Sequence, residues 1–204
     1  MGFRVIAVLK FLRSLFGRRV DEPSMEAEWL VVGLGNPGAE YAATRHNVGY
    51  MVLDELGVQL EPVRGIKALV EVRDGVAYAR STTYMNTSGE AVGPLAKQFG
   101  VAPERIIVVH DELDLPAGAV RVKLGGNENG HNGLKSLTDH LGTRDYLRVR
   151  MGIGRPPTGV AVPDWVLAPV EGDISGQVAV AAEAVQLLVD EGLEKAQNVI
   201  HAKR

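Results

Sequence analysis

The sequence predicts a single α/β domain built on a mixed β-sheet. Three observations carry this. Short apolar runs such as 29–32 and 106–110 alternate with stretches of helical period. Both hairpin and crossover connections occur between them, which calls for antiparallel and parallel pairing in one sheet. The 204 residues suffice for one core, with neither internal repeat nor linker. At 46% hydrophobic and 23% charged the composition is that of an ordinary globular protein. The chain has no cysteine, which excludes disulfides and thiolate metal sites. A net charge of −3 argues against a protein that holds nucleic acid by bulk charge, but it leaves room for a local basic patch.

Residues 1–24 stand apart. Arg4, Lys10, Arg13, Arg18 and Arg19 face only Asp21 and Glu22, a net of +3. Phe3, Ile6, Val8, Leu9, Leu12, Leu15 and Phe16 fit one side of a short basic amphipathic helix. The segment is too short to span a bilayer and lacks a small-residue cleavage site. It reads as a basic N-terminal extension, either a disordered tail or an alternative-start artefact with Met25 as the true start. Residues 25–204 are then the working domain.

The first strand breaks into a glycine-rich turn, Gly33-Leu34-Gly35-Asn36-Pro37-Gly38. His46-Asn47 follows, and Val48, Met51, Val52 and Leu56 then set a helical period that Gly57 ends. Segments 67–73 and 76–81 read as strands joined by an Asp74-Gly75 hairpin turn. Residues 82–86 form a strand-end loop, and Thr87 with Glu90 suggests a capping box for a helix to Phe99, in which Pro94 marks a kink or a second start. The run 106–110 is a central strand buried on both faces, ending in His110-Asp111-Glu112. Segment 119–124 alternates with Arg121 and Lys123 on one face, and a polar glycine loop, 125–133, leads to a helix at 134–141 closed by Gly142. Leu147, Val149, Met151 and Ile153 alternate with Arg148 and Arg150 in a further strand; 154–163 is loop, and a helix through Ile174, Val178, Ala181, Val185 and Leu188 stops at Gly192.

Strand ends and loops carry Asn36, His46, Asn47, Asn86, Asp111, His131 and Asn132. Each alone is ordinary: Asn36 suits a turn, Asp111 a cap, His131-Asn132 a loop before a helix. Together they supply a histidine and a carboxylate to activate water, and carboxamides to donate to an oxyanion. Neither a serine elbow nor a cysteine is present, so the pattern fits hydrolysis without a covalent intermediate. Two other motifs are weaker. Gly33-x-Gly35-x-x-Gly38 matches the dinucleotide fingerprint, yet Pro37 and the polar stretch to Asn47 delay the helix that would receive a pyrophosphate, and Asp54 falls within a helix. The cluster His110, Asp111, Glu112 and Asp114 suggests a metal but lacks paired-histidine spacing.

The blocks GLGNPGAEYAATRHNVG, TTYMNTSGEAV, VVHDELDLPAGAVRVKLGG and GHNGLKS, in collinear order from about Trp29 onward, resemble the bacterial-type peptidyl-tRNA hydrolases. The resemblance implies one α/β domain with a twisted mixed sheet flanked by helices. It also implies a cofactor-free reaction that cleaves the ester between a peptide and the 3′ ribose of tRNA. It makes His46 the general base, Asp111 the carboxylate that holds it, and Asn36 the residue that separates blocked from free aminoacyl esters. Asn86 and Asn132 become substrate-binding and oxyanion-stabilising amides, Tyr41 and Tyr84 contacts of the tRNA end, and Lys123 with Arg150 the basic pair that grips the 5′ phosphate. A cytoplasmic monomer with no membrane partner is expected. The chain departs from the pattern at Asn127-Glu128-Asn129, where glycine is usual, and in residues 1–24. An RNA-binding protein of the same fold without catalysis is the alternative reading.

Overall fold

The computed structural model describes residues 26–203, so the reading of residues 1–24 lies outside the described residues. Seven strands form one sheet: β1 (Trp29–Gly33), β2 (Glu61–Pro62), β3 (Ala68–Arg73), β4 (Val76–Ser81), β5 (Ile106–Glu112), β6 (Val120–Leu124) and β7 (Leu147–Gly152). Six helices accompany it: α1 (Val48–Glu55), α2 (Gly89–Phe99), α3 (Asn132–Leu141), α4 (Val162–Val166), α5 (Ser175–Asp190) and α6 (Leu193–His201). The strand order is β2-β3-β4-β1-β5-β7-β6. The four central strands β4, β1, β5 and β7 run parallel, and β3, β2 and β6 add antiparallel edges. The mixed sheet expected from the sequence is therefore present.

Burial follows the strand pattern. Val31, Ile107 and Val109 point to one face, against Val48 and Val52 of α1 and Val178, Ala181, Val185 and Leu188 of α5. Leu30, Val32, Ile106 and Val108 point to the other, against Ala91, Val92, Leu95 and Phe99 of α2 and Leu134 and Leu137 of α3. Every residue of β5 is buried, as a strand covered on both faces requires. The chain leaves β1 toward β4 on one side and returns to place β5 on the other, so strand order reverses between β1 and β5. A crevice at the carboxyl ends of these two strands is where an open α/β sheet leaves room for a ligand.

Local chemistry explains the turns. Asp74 (φ 53°) and Gly75 (φ 78°) both sit in the left-handed region, as the β3–β4 hairpin turn requires. The capping box does not form: residues 85–87 make a 3-10 turn that runs directly into α2, and the Thr87 hydroxyl donates back to the Tyr84 carbonyl at 3.1 Å. Pro94 neither breaks nor restarts α2. It lies on the exposed face, as does Glu90, whose carbonyl loses its usual donor to the proline ring but stays open to water. Three elements were absent from the sequence reading: the two-residue β2, the short α4 partly inside the expected loop, and α6. Gly192 ends α5 as expected, but Leu193, Ala196 and Ile200 resume a helical period that packs on β6. There Gln197 donates to the Val122 carbonyl (3.1 Å) and His201 accepts from the Val122 N–H (3.0 Å), which covers the sheet edge.

Helix α1 crosses the switch point at very short range. A Cβ built on Gly49 would sit 2.5 Å from the Val109 carbonyl oxygen and from the Leu34 nitrogen, both backbone. Gly49→Ala is expected to lose roughly 3 kcal/mol or more of stability by forcing α1 off β1 and β5, measured by chemical denaturation.

Candidate active site

The turn after β1 is held by a two-bond clasp. The Asn36 N–H donates to Asn47 Oδ1 (2.9 Å), and Asn47 Nδ2 donates back to the Asn36 carbonyl (2.9 Å), all buried. Asn36 Oδ1 then accepts from the Met85 N–H at 2.7 Å. That bond fixes the amide so that Nδ2 is its free end. Gly35 is needed here because a Cβ would meet the Tyr50 ring at 2.8 Å. The glycines thus serve close packing, and α1 begins only at Val48. Only a three-residue 3-10 turn, Ala39–Tyr41, follows directly, so a pyrophosphate would find no α-helix N-terminus there, and the dinucleotide reading fails.

His46 sits in a 3-10 turn, Arg45–Asn47, just before α1. Its Nδ1 lies 2.9 Å from Asp111 Oδ1, and His131 Nε2 lies 2.9 Å from the same oxygen. His131 Nδ1 accepts from the Gly133 and Leu134 N–H groups (3.1 and 3.3 Å) at the start of α3, so its proton is on Nε2 and is donated to Asp111. Burial alone would raise the Asp111 pKa; the His131 and His46 rings outweigh it and hold the carboxyl well below the usual range. The ionised carboxylate in turn fixes a proton on His46 Nδ1 and leaves Nε2 as the free base.

His46, Asp111 and His131 place their ligating atoms within 4.8 Å of one another. A metal would need the lone pair of His131 Nε2, and that atom carries the proton. The trio is built as a hydrogen-bond relay. The other suggested metal cluster comes apart: His110 Nδ1 donates to the Asp111 carbonyl (2.7 Å), Glu112 pairs with Arg150 and Asp114 with Arg155. Burial, then the nearby His131, holds the His110 pKa well below the ordinary histidine value.

These groups open onto one cleft of about 640 Å³. Asn36, Tyr41, His46, Tyr84, Asn86, Asp111 and Asn132 all line it, brought from four stretches of chain: 36–46, 84–86, 111 and 132. Tyr41 and Tyr84 meet edge-to-face with centroids 6.3 Å apart, and Tyr84 is 57% exposed. Val162, Pro163, Val166 and Leu167 of the α4 segment make an apolar wall. That wall is fastened to the histidine turn: Arg45 stacks 3.6 Å over the Trp165 ring and bonds its carbonyl (3.2 Å).

Comparison with known proteins identifies the family. Residues 30–204 match the family model described as peptidyl-tRNA hydrolase. The chain belongs to the peptidyl-tRNA hydrolase family. It is 58% identical over 204 residues to "Peptidyl-tRNA hydrolase 2" of Corynebacterium glutamicum, covering 97% of this chain and 98% of that one. It is 48% identical over 196 residues to the peptidyl-tRNA hydrolase of Cutibacterium acnes, covering 85% and 98%. Among solved structures, that of peptidyl-tRNA hydrolase from Acinetobacter baumannii superposes with a TM-score of 0.77 at 36% identity, covering 88% of this chain and 96% of that one.

In this hydrolase Lys123 and Arg150 do not line the cleft. They lie on one face of β6 and β7, where Lys123 is opposite Arg148 and Arg121 opposite Arg150. Strand alternation sets Lys123 and Arg150 apart from the apolar face, yet both are only partly exposed, and Arg148 is 1% exposed. Arg148 holds the glycine loop by donating to the Gly126 and Asn127 carbonyls at 2.7 Å each. Burial, then Arg150 and Arg148, lower the Lys123 pKa. The departures in this loop are accommodated: Asn129 takes φ 49°, a conformation asparagine tolerates, and Glu128 pairs with Arg144 at 2.7 Å. Two residues named in the polar pattern but given no role from sequence, Asn47 and His131, turn out to position Asn36 and Asp111. Their adjacency to His46 and Asn132 was visible; their partners, 11 and 20 residues away, were not.

Asn47→Ala would leave the buried Asn36 N–H and C=O unpaired and should cost on the order of 2 kcal/mol, read by denaturation, together with a loss of turnover. The Glu128 carboxyl is held down to about 2 by its hydrogen bond to Arg144, against an ordinary 4.5. Its tie to the loop is therefore fully present above pH 4.5 and is lost as pH falls from there toward 2. Hydrogen exchange of the 126–131 amides should accelerate across that window in the wild type, and Glu128→Gln should remove the pH dependence.

Proposed function

We propose that the hydrolysis of the peptidyl-tRNA ester by this family member runs on His46 as general base, with Asp111 as its orienting carboxylate. The observation that carries this is the 2.9 Å bond from His46 Nδ1 to the buried Asp111, which leaves Nε2 free at the cleft. Nε2 takes a proton from water as the oxygen attacks the ester carbonyl. The resulting oxyanion is met by the side-chain amides of Asn86 and Asn132, both exposed on the cleft wall. Collapse expels the 3′ ribose oxygen, which takes the proton back from the imidazolium, so the products are a free peptide and a tRNA hydroxyl. The fixed Asn36 amide, with Nδ2 as its free end, suits a contact that reads the blocked amide next to the scissile bond.

The tRNA end fits the exterior of the same cleft. The exposed Tyr84 ring, braced edge-on by Tyr41, offers a stacking face for a base. Lys123 and Arg150 are assigned to the 5′ phosphate, in a strip that groups Arg121, Lys123, Arg148 and Arg150, with Glu112 paired to Arg150. Among the described residues no helix is long and apolar enough to cross a membrane. We assign residues 25–204 as the hydrolase domain and the working form as a cytoplasmic monomer.

The test compares an N-acetylated aminoacyl-tRNA with its unblocked partner. Wild type should release amino acid only from the blocked ester. His46→Ala should fall by roughly 10³-fold or more in kcat while binding the substrate nearly as well, and Asp111→Asn, which loses the fixed tautomer, by about 10²- to 10⁴-fold. A His46→Ala enzyme with the wild-type rate removes the assignment. Binding of tRNA without any turnover in the wild type would favour the non-catalytic reading.

A further inference from the structure

Asp111 and Glu112 are consecutive at the carboxyl end of β5, and a strand sends consecutive side chains to opposite faces. Asp111 goes to the two histidines. Glu112 goes to the face of β7 that carries Arg150, where its Oε2 accepts from Arg150 Nε at 3.0 Å. Its Oε1 accepts from the Asp114 backbone N–H at 3.1 Å. The Glu112 side chain is only 6% exposed and that of Arg150 17%, so this pair is shielded from solvent rather than a floppy surface contact.

The way the guanidinium is held matters. Glu112 takes Nε alone, which fixes the plane of the group. Among the described residues, neither terminal nitrogen of Arg150 has a protein acceptor. A guanidinium gripped at Nε presents its two terminal N–H groups as a parallel fork, the shape that matches two oxygens of a phosphate. The neighbouring cation differs: Arg148 has spent both terminal nitrogens on the carbonyls of Gly126 and Asn127. Lys123 lies diagonally across from Arg150 on the same face.

We propose that Glu112 is a positioning residue for the 5′ end of the substrate: it fixes the Arg150 guanidinium so that its free fork, with Lys123, forms a seat for a phosphate monoester. The bond to Asp114 ties this seat to the backbone that follows β5, so one strand end holds the hydrolytic base on one face and the phosphate grip on the other. The inference rests on the assignment of Arg150 to the 5′ phosphate. It differs in sign from the simple electrostatic role of a carboxylate among cations, which would be to repel phosphate and weaken binding.

Steady-state kinetics on three esters separate the cases: N-acetylated aminoacyl-tRNA with a 5′ phosphate, the same tRNA dephosphorylated to a 5′ hydroxyl, and N-acetylated aminoacyl-adenosine, which has no 5′ end to grip. Glu112→Gln keeps the volume, but its single amide oxygen can serve only one of the two donors. In that variant KM for the 5′-phosphorylated substrate should rise roughly fivefold to tenfold, toward the value for the 5′-hydroxyl form, with kcat changed less than twofold. The rate on the adenosine ester should stay within twofold, and in an Arg150→Ala background Glu112→Gln should have no further effect on phosphate preference. Phosphate preference that is retained or enlarged in Glu112→Gln overturns the proposal, as does an equal loss on all three esters. A wild-type enzyme indifferent to the 5′ phosphate instead overturns the reading of Arg150 itself, and that comparison involves no variant of Glu112.

Discussion

A carboxylate with 2% exposure is the constraint on which the rest of this structure turns. Ionised and unpartnered, Asp111 would cost several kcal/mol at the end of β5. Two N–H donors offset that cost, and they come from separate parts of the chain: His46 from the turn before α1 and His131 from the loop before α3. Each donor needs its own support. His131 is oriented by two backbone N–H groups at the start of α3. His46 is held by the turn that also carries Asn47, and through Asn47 the Asn36 turn is clasped. Satisfying one buried charge thus assembles much of one wall of the cleft.

The sheet supplies the place for this charge. Because strand order reverses between β1 and β5, the chains leaving these neighbours diverge, Asn36 to one side and Asp111 and Glu112 to the other. Helix α1 must then return across the gap at backbone contact distance, which Gly33 and Gly49 permit: a Cβ on Gly33 would lie 2.4 Å from the Gly49 carbonyl oxygen. These glycines bring His46 within reach of Asp111. Longer side chains at the crossing would move the helix outward and break the relay before any of its own residues had changed.

Much of this was legible in the sequence where local rules dominate. β5 read as a doubly buried strand because every position from Ile106 to Val109 is apolar, and the β3–β4 hairpin because Asp74-Gly75 accepts positive φ. The capping box at Thr87 failed because a 3-10 turn gave that hydroxyl a nearer partner, and α6 was hidden by the glycine that precedes it. For the site, the residue types and the family blocks pointed to strand ends that the structure gathers into one cleft. What they could not supply were the partners: one oxygen of Asp111 shared by two histidines, and Glu112 turned toward Arg150, are set by long-range packing. Strand alternation alone also suggested that Arg148 and Arg150 were equivalent, whereas one is buried in the loop anchor and the other keeps a free fork.

The loop before α3 shows how a departure from the family pattern can be accommodated without disturbing the hydrogen bonds to Asp111. Glycine there would let the backbone adopt positive φ at no steric cost but at a high entropic one. Here Gly125, Gly126 and Gly130 keep that freedom, while Asn129 adopts φ 49° as a non-glycine residue. The entropy that asparagine and glutamate remove from the unfolded chain works in favour of the ordered loop. Arg148 from below and Arg144 from the side then fix it by charge-assisted bonds to Gly126, Asn127 and Glu128. The stiffened loop ends at His131, one of the two donors to Asp111. A change that looks like lost flexibility in sequence is, in the structure, an anchor for the ring that keeps the Asp111 carboxylate charged.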